Sequence, residues 1–122
     1  MAAPVAHYAH QKFIAVKNGV LNIDTLELLP FSHEMVVPNQ IPHNWNPTAE
    51  CLAVDEVLDR ISCDDPELRA ILEEAPGYAL FRRSEYGATF FLTGRGKNGK
   101  STYLDMIKRF LGAKNYSAIS FK

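Results

Sequence analysis

Short apolar runs separated by turn signals fill the first third of the chain. Residues 13–16 and 20–23 are two such runs, and an Asn18-Gly19 pair lies at the turn between them. Because Asn-Gly readily adopts the positive φ angles of a tight turn, this pattern predicts an antiparallel β-hairpin. A second turn is expected at residues 24–25, followed by a third short strand within residues 26–31. The first third is therefore predicted to be a β-meander.

Two prolines indicate that the next segment, residues 32–46, is irregular. Pro38 and Pro42 stand among polar residues. Proline cannot donate the backbone hydrogen bond that a central strand needs. The segment is therefore predicted to be an extended crossing, with one short strand at residues 35–37.

The middle of the chain changes to a helical period. Asn46 or Thr48 is expected to cap a first helix over residues 49–62, with Pro47 in its first turn. One face of this helix collects apolar residues at spacings of three and four, namely Val54, Val57, Leu58 and Ile61.

A second helix is predicted to follow at once. One of the aspartates at positions 64 and 65 provides its cap, and Pro66 stands in its first turn, where a missing N–H costs nothing. Pro76-Gly77 is expected to break or kink this helix, and residues 78–81 to resume it. Its buried stripe is predicted to consist of Leu68, Ile71, Leu72 and Ala75.

The last third combines a strand-like run with another helix. Residues 89–93 are mostly apolar and lie between Gly87 and Gly94, as expected of a short buried strand. After a glycine-rich loop, Gly112 is placed to end a final helix. Its apolar residues follow helical spacing at Tyr103, Ile107, Phe110 and Leu111.

The loop between that strand and that helix matches the phosphate-binding pattern G-x-x-x-x-G-K-[ST] over residues 94–101. Glycines allow successive backbone N–H groups to turn inward around a polyphosphate, and Asn98 tolerates left-handed φ. The N-terminus of the following helix directs its positive dipole end at the same charge. Lys100 is expected to reach the β- and γ-phosphates as the catalytic residue, and the Ser101 hydroxyl to bind Mg²⁺.

The net charge of −1 conceals a split along the chain. Residues 1–65 carry 3 basic and 9 acidic side chains, whereas residues 66–122 carry 10 basic and 5 acidic ones. This asymmetry suggests that the second half meets an anion such as a nucleotide or nucleic acid, although an unevenly charged solvated surface explains it equally well. No run of 18 apolar residues indicates a membrane span. Two lone cysteines, Cys51 and Cys63, fit a reducing cytoplasm.

Two acidic features are predicted to be structural. Residues 51–56 resemble the apolar run ending in paired acids that holds Mg²⁺ in P-loop enzymes, but they lie within the helical pattern and precede the loop. Asp55 and Glu56 are therefore expected to be exposed helix residues, and the aspartates at 64 and 65 to be caps. The four histidines and two cysteines have no zinc-site spacing.

The order of several short motifs resembles the phage and plasmid primase–helicases. These proteins belong to helicase superfamily three and are similar to the poxvirus nucleoside triphosphatase–primase. The similarity covers residues 13–121, and the asparagine before Gly-Lys-Ser is its most characteristic feature. The motifs are Asn18-Gly19-Val20-Leu21, Pro47 at a helix start, Gly77-Tyr78-Ala79-Leu80, and Phe90 to Thr102 with Asn98-Gly99-Lys100-Ser101-Thr102.

Pattern and resemblance together predict an α+β fold. Residues 1–48 form a β-rich segment, residues 49–83 a helical collar-like segment, and residues 84–122 the first strand, P-loop and helix of an incomplete AAA+-like α/β ATPase core. By position, the resemblance implies a site for ATP and Mg²⁺ composed of Gly94, Arg95, Gly96, Lys97, Asn98, Gly99, Lys100, Ser101 and Thr102.

The resemblance also implies a working context. Family members form ring hexamers, hydrolyse ATP and translocate on single-stranded DNA while a mobile element replicates in the cytoplasm of its bacterial host. They tend to run a continuous helix where this chain has Pro76. The resemblance thus implies nucleotide, single-stranded DNA and further copies of the chain as partners.

Only 21 residues follow Ser101, fewer than the remaining strands of a nucleotide-binding sheet require. The chain is therefore expected to be a fragment of a larger replication protein, with negligible ATPase activity by itself. Two other classes stay open. One is a non-enzymatic module that self-associates or contacts DNA with an unformed loop. The other is a small P-loop kinase, although such kinases usually carry the loop near the start of the chain.

Overall fold

The computed structural model describes residues 12–33, 39–80, 87–96 and 99–120. Within these residues, a three-stranded antiparallel sheet precedes three helices, which confirms the α+β fold. None of the helices in this described part of the chain is long and apolar enough to cross a membrane. The elements are β1 (Phe13–Val16), β2 (Gly19–Asn22), β3 (Leu28–Leu29), α1 (Leu52–Ile61), α2 (Pro66–Leu80) and α3 (Lys100–Leu111).

The chain divides into two compact units. The sheet unit consists of Met1–Trp45 with Ile107–Lys122, and the helical unit of Asn46–Met106. Helix α3 therefore begins in the helical unit and ends in the sheet unit. The three-part division at residues 48 and 83 stays a prediction.

The predicted β-meander is confirmed. Strands β1 and β2 pair with Ile14 opposite Leu21, and β2 pairs with β3 with Val20 opposite Leu29. Gly19 lies so close to β3 that a Cβ there would collide with the Leu29 carbonyl oxygen. The third strand lies within the predicted range of residues 26–31 but contains only two residues, Leu28 and Leu29.

The core of the sheet unit consists of two runs of consecutive buried residues, one in each strand of the hairpin. They are Ile14, Ala15 and Val16 in β1, and Val20 and Leu21 in β2. Because neighbouring residues of a strand point to opposite faces, this continuous burial means that both faces of the hairpin are covered.

The extended crossing contributes to that cover, since residues 40–45 run beside β1. Gln40 forms a parallel bridge with Ala15, and the Lys17 N–H donates to the His43 carbonyl over 2.9 Å. The Asn18 side chain donates to the Trp45 carbonyl (3.0 Å) and accepts from its N–H (2.8 Å). Asn18 therefore holds the crossing as well as forming the turn. The strand predicted at residues 35–37 lies outside the described residues.

The first helix starts later than predicted, at Leu52 instead of residue 49. Cys51 stands at the cap position without a side-chain hydrogen bond. The Asn46 carboxamide accepts hydrogen bonds from the Thr48 N–H (3.0 Å) and hydroxyl (2.9 Å). The prediction that Asn46 or Thr48 caps the helix is therefore wrong, because these residues satisfy each other in a separate turn.

The second helix confirms one prediction and corrects another. Asp65 caps it, since its carboxylate accepts from the N–H groups of Glu67 (3.0 Å) and Leu68 (3.4 Å). Pro76-Gly77 was predicted to break or kink the helix. The break is wrong, because the helix continues through Pro76 to Leu80, and the kink stays a prediction. Proline lacks the N–H that would bond to the carbonyl four residues earlier, that of Leu72. That carbonyl instead accepts the Tyr103 hydroxyl at 2.8 Å.

The buried strand predicted at residues 89–93 is also wrong. Residues 87–94 are not paired with any strand in the described part of the chain, and Phe91 is 85% exposed. An extended segment becomes a strand only when another strand accepts and donates its backbone hydrogen bonds. The Phe90 ring packs edge-on against Tyr78, with 5.8 Å between ring centroids.

The last helix ends as predicted. Gly112 has a φ of +90° and its N–H donates to the Lys108 carbonyl over 2.9 Å. A Cβ at Gly112 would lie 2.7 Å from Pro42, so this position also needs glycine for a close approach within the sheet unit. Nearby, the Asn115 carboxamide donates to the carbonyls of Gln40 (2.8 Å) and Leu111 (2.7 Å).

Candidate phosphate-binding site

The predicted phosphate-binding residues form the link from the extended segment to helix α3. The structure describes Gly94, Arg95, Gly96, Gly99, Lys100, Ser101 and Thr102. Lys97 and Asn98 lie outside the described residues. The described part of the motif therefore consists of two segments, residues 94–96 and residues 99–102.

The loop meets the helix in a conformation that needs glycine. Gly96 and Gly99 have φ angles of +89° and +88°, a region that residues with a Cβ rarely adopt. Helix α3 begins immediately afterwards at Lys100, and the Tyr103 N–H donates to the Gly99 carbonyl over 2.9 Å. Ser101 and Thr102 lie exposed in the first turn, where backbone N–H groups have no acceptor within the helix. This end of the helix suits an anion.

Gly99 is also required for packing. A Cβ at this position would lie 2.7 Å from Cγ1 of Ile61 in α1. The last glycine of the motif therefore approaches the end of α1 directly, with no room for a side chain. Nothing in the sequence pattern indicated this contact, because Ile61 lies 38 positions earlier.

A cleft of about 620 Å³ opens beside the start of α3. Gly99 and Lys100 form part of its wall. Arg60 of α1, Cys63 just after α1 and Leu68 of α2 form another part. Its size is within the range of small-molecule sites, and two cationic side chains among apolar ones give it the mixed lining of such sites. The helical unit therefore has space for a ligand next to the motif.

The acidic residues of α1 are structural. Asp55 and Glu56 are exposed helix residues, as predicted. Arg69 on α2 pairs with Asp55 (2.8 Å), Asp59 and Glu73 (2.8 Å). The guanidinium also donates to the Asp55 carbonyl over 3.0 Å. This Arg69 cluster joins α1 to α2, and sequence reasoning missed it.

The electrostatics of the Arg69 cluster favour the cation. The hydrogen bond to Glu73 is the largest of the causes that raise the pKa of Arg69 above its ordinary value. Burial lowers this pKa and is the second largest cause, while the Asp55 hydrogen bond and the Asp59 charge raise it further. Through Asp55 and Asp59, Arg69 therefore joins α2 to the preceding helix α1.

Tyr103 is a second residue whose role sequence reasoning missed, because it placed Tyr103 only in an apolar stripe. Its side chain is 4% exposed, and its hydroxyl bonds to the Leu72 carbonyl. Burial raises the pKa of this phenol, because the charged form loses hydration. A signal did exist in the sequence: Pro76 within a helix leaves the carbonyl of Leu72 in need of a donor.

Comparison with known proteins identifies the family of this chain. A family model described as D5 N terminal like matches residues 8–75, more than half of the chain. The match covers the meander, α1 and most of α2, and ends before the phosphate-binding motif. No curated protein matches the chain. The match confirms the primase–helicase part of the resemblance. The chain therefore belongs to the D5 N-terminal-like family and represents the N-terminal region of D5-like primase–helicase proteins.

Proposed function

We propose that residues 94–102 bind the phosphates of ATP together with Mg²⁺. One observation carries this proposal: Gly96 and Gly99 are both left-handed, and Gly99 directly precedes a helix that begins at Lys100 beside an open cleft. Backbone N–H groups and a helix N-terminus are the standard means by which proteins hold polyphosphate.

The residues present fit these ligands. In the proposal, the backbone from Gly94 to Gly99 surrounds the phosphates, and Lys100 neutralises the β- and γ-phosphates. Ser101 and Thr102 are exposed at the first turn, where their hydroxyls can meet a hydrated cation. When bound, Mg²⁺ supplies neutralisation of phosphate charge. A side chain at Gly99 would occupy the space against Ile61, so the loop keeps its approach only with glycine.

The proposal extends to the protein in which this region works. We propose an ATP-dependent DNA helicase for phage or plasmid replication, with single-stranded DNA as partner and a ring of identical subunits as its assembly. Family membership supports the primase–helicase context, and the motif geometry supports nucleotide binding. The excess of basic residues in the second half fits anionic partners.

The direct test is calorimetric titration of the chain with Mg²⁺ and a non-hydrolysable ATP analogue. Lys100→Ala is expected to weaken binding by about tenfold or more, because a charge-assisted contact to phosphate is lost. Lys108→Ala is the matched control, since it removes the same charge from the same helix near Tyr116 and away from the motif. Equal affinities of the two variants would contradict the proposal.

A second candidate is self-association through apolar surface. Ile71, Tyr78 and Phe90 line an open cleft of about 470 Å³ in the helical unit, and the neighbouring Phe91 is 85% exposed. Exposed apolar patches commonly mark protein interfaces. Light scattering with and without nucleotide separates the candidates: self-association without nucleotide affinity favours this one.

A further inference from the structure

The Leu72 carbonyl in helix α2 has an unusual partner. In an α-helix this oxygen would accept the N–H of residue 76, but residue 76 is proline and has none. Leu72 is 6% exposed, and its carbonyl is shielded from water. A buried carbonyl without a donor destabilises a protein, so the Tyr103 hydroxyl at 2.8 Å meets a need that Pro76 creates.

Tyr103 is also fixed to the phosphate-binding motif. Its N–H donates to the Gly99 carbonyl over 2.9 Å and makes the first helical hydrogen bond of α3. One residue thus contacts the last glycine of the motif through its backbone and α2 through its side chain. Its ring lines the cleft beside Gly99 and Lys100.

We propose that Tyr103 is a positioning residue that holds the phosphate-binding end of α3 against α2, through the carbonyl that Pro76 leaves without an N–H partner. The proposal rests on phosphate binding at residues 94–102. Loss of the hydroxyl leaves the Leu72 carbonyl unsatisfied inside the helix contact, and water entering to solvate it displaces the first turn of α3.

The link predicts an interaction between two positions that are 27 residues apart in the chain. Tyr103→Phe deletes only the hydroxyl and keeps the ring. Pro76→Ala restores an N–H that can bond to the Leu72 carbonyl within α2. In the double variant the carbonyl is satisfied and no polar group is buried without a partner, so the phenyl ring at position 103 can pack against α2. A side chain that merely fills the core would not respond to the residue at position 76.

The experiment is a double-mutant cycle on the full chain. Wild type, Tyr103→Phe, Pro76→Ala and the double variant are titrated with inorganic triphosphate and Mg²⁺, at a temperature where circular dichroism shows all four to be folded. Hydrogen exchange of residues 99–104 is measured without ligand. Tyr116→Phe, on an exposed tyrosine, is the matched hydroxyl deletion.

We expect Tyr103→Phe to weaken triphosphate binding about fivefold with Pro76 present, and by less than about twofold in the Pro76→Ala background. Exchange at residues 99–104 is expected to accelerate only in the single variant Tyr103→Phe. Equal effects of Tyr103→Phe in both backgrounds, or no effect in either, would overturn the inference while Lys100-dependent binding leaves the proposed function intact.

The experiment also tests the link between the helices if the proposed function is wrong. If the wild type binds no triphosphate, the proposed function fails and the role of Tyr103 toward phosphate fails with it. The exchange rates then decide the link between the helices by themselves. Exchange that depends on position 76 supports the link, and exchange that does not depend on it overturns the link.

Discussion

The sheet unit and the helical unit bury their apolar residues in different ways. In the sheet unit, Ile14, Ala15 and Val16 are consecutive buried residues of β1, and two more lie opposite them in β2. In the helical unit, the described residues include one buried apolar side chain per helix, namely Leu58, Leu72 and Tyr103. The unit that holds the start of α3, where we propose that phosphate binds, therefore has the sparser core.

Polar contacts join the helices around that sparse core. The Arg69 cluster joins α1 to α2 with exposed carboxylates, and the bond from Tyr103 to the Leu72 carbonyl joins α2 to α3. Elements that bind ligands are commonly drawn from the less stable parts of a protein, because they have to adjust when a ligand arrives. The sparser core of the helical unit is therefore consistent with the ligand site that we propose there.

The largest effect is expected from Leu72→Ala. Leu72 is the buried apolar residue of α2, and its loss leaves a cavity where few other apolar side chains can fill the space. We expect the free energy of unfolding to fall by about 2–5 kcal/mol, measured by urea denaturation. Ile71→Ala removes a similar side chain that is 49% exposed on the same helix and should cost clearly less. Similar losses would show that the core of the helical unit does not depend on Leu72.

A loss of stability smaller than that of Leu72→Ala is expected from Gly99→Ala, and it should exceed the loss from the matched replacement Gly96→Ala. Both replacements put a Cβ at left-handed φ, which costs about 1–2 kcal/mol. Only the Cβ at Gly99 meets Ile61, whereas that at Gly96 has no atom within 4 Å. Gly99→Ala should therefore destabilise more in thermal unfolding.

The cause of that difference can be checked with Ile61→Ala, which removes the colliding Cγ1. In that background the two glycine replacements should cost the same, because only the backbone strain is left. A difference that persists without the Ile61 side chain would assign the effect of Gly99 to something other than this close approach.

The comparison also predicts unequal hydrogen exchange within the native protein. Val20 and Leu21 lie in the central strand, which pairs on both sides, and both are buried. Their amides should exchange at least about tenfold more slowly than that of Leu58 in α1, because opening β2 exposes more apolar surface. The measurement is amide exchange followed by NMR. Equal rates would show that the sparser core does not weaken α1.

Features set by neighbouring residues could be predicted from the sequence. The Asn18-Gly19 turn, the Asp65 cap and the Gly112 end of α3 each depend on contacts within a few positions. The junction of loop and helix at Lys100 was predicted for the same reason. These features are local because a cap or turn satisfies backbone groups close to it.

Features that need a distant partner could not be predicted. Residues 89–93 have the composition of a strand, but strand formation depends on a neighbour that the composition does not specify. The Leu72 carbonyl, which Pro76 leaves without its usual N–H partner, bonds to Tyr103, which lies 27 positions after Pro76. Arg69 looked like an ordinary helix residue, because its partners Asp55 and Asp59 belong to the preceding helix.

The smallest effect is expected from Arg69→Gln, because the Arg69 cluster lies among exposed carboxylates that salt can screen. The raised pKa of Arg69 means that folding favours the cation, so its contribution is fully present below the ordinary pKa and is lost only as the pH rises through the raised value. Salt is therefore the useful variable at neutral pH. We expect Arg69→Gln to lower Tm slightly at low salt and to match the wild type near 1 M salt.

Arg109→Gln is the matched control, since it removes one positive charge from an exposed position of α3 outside the cluster. It should leave Tm nearly unchanged at either salt concentration. A loss in Arg69→Gln that persists at high salt would mean that the Arg69 side chain holds α1 and α2 together mainly by packing and by its hydrogen bond to the Asp55 carbonyl. The helical unit would then depend less on charge than the comparison with the sheet unit implies.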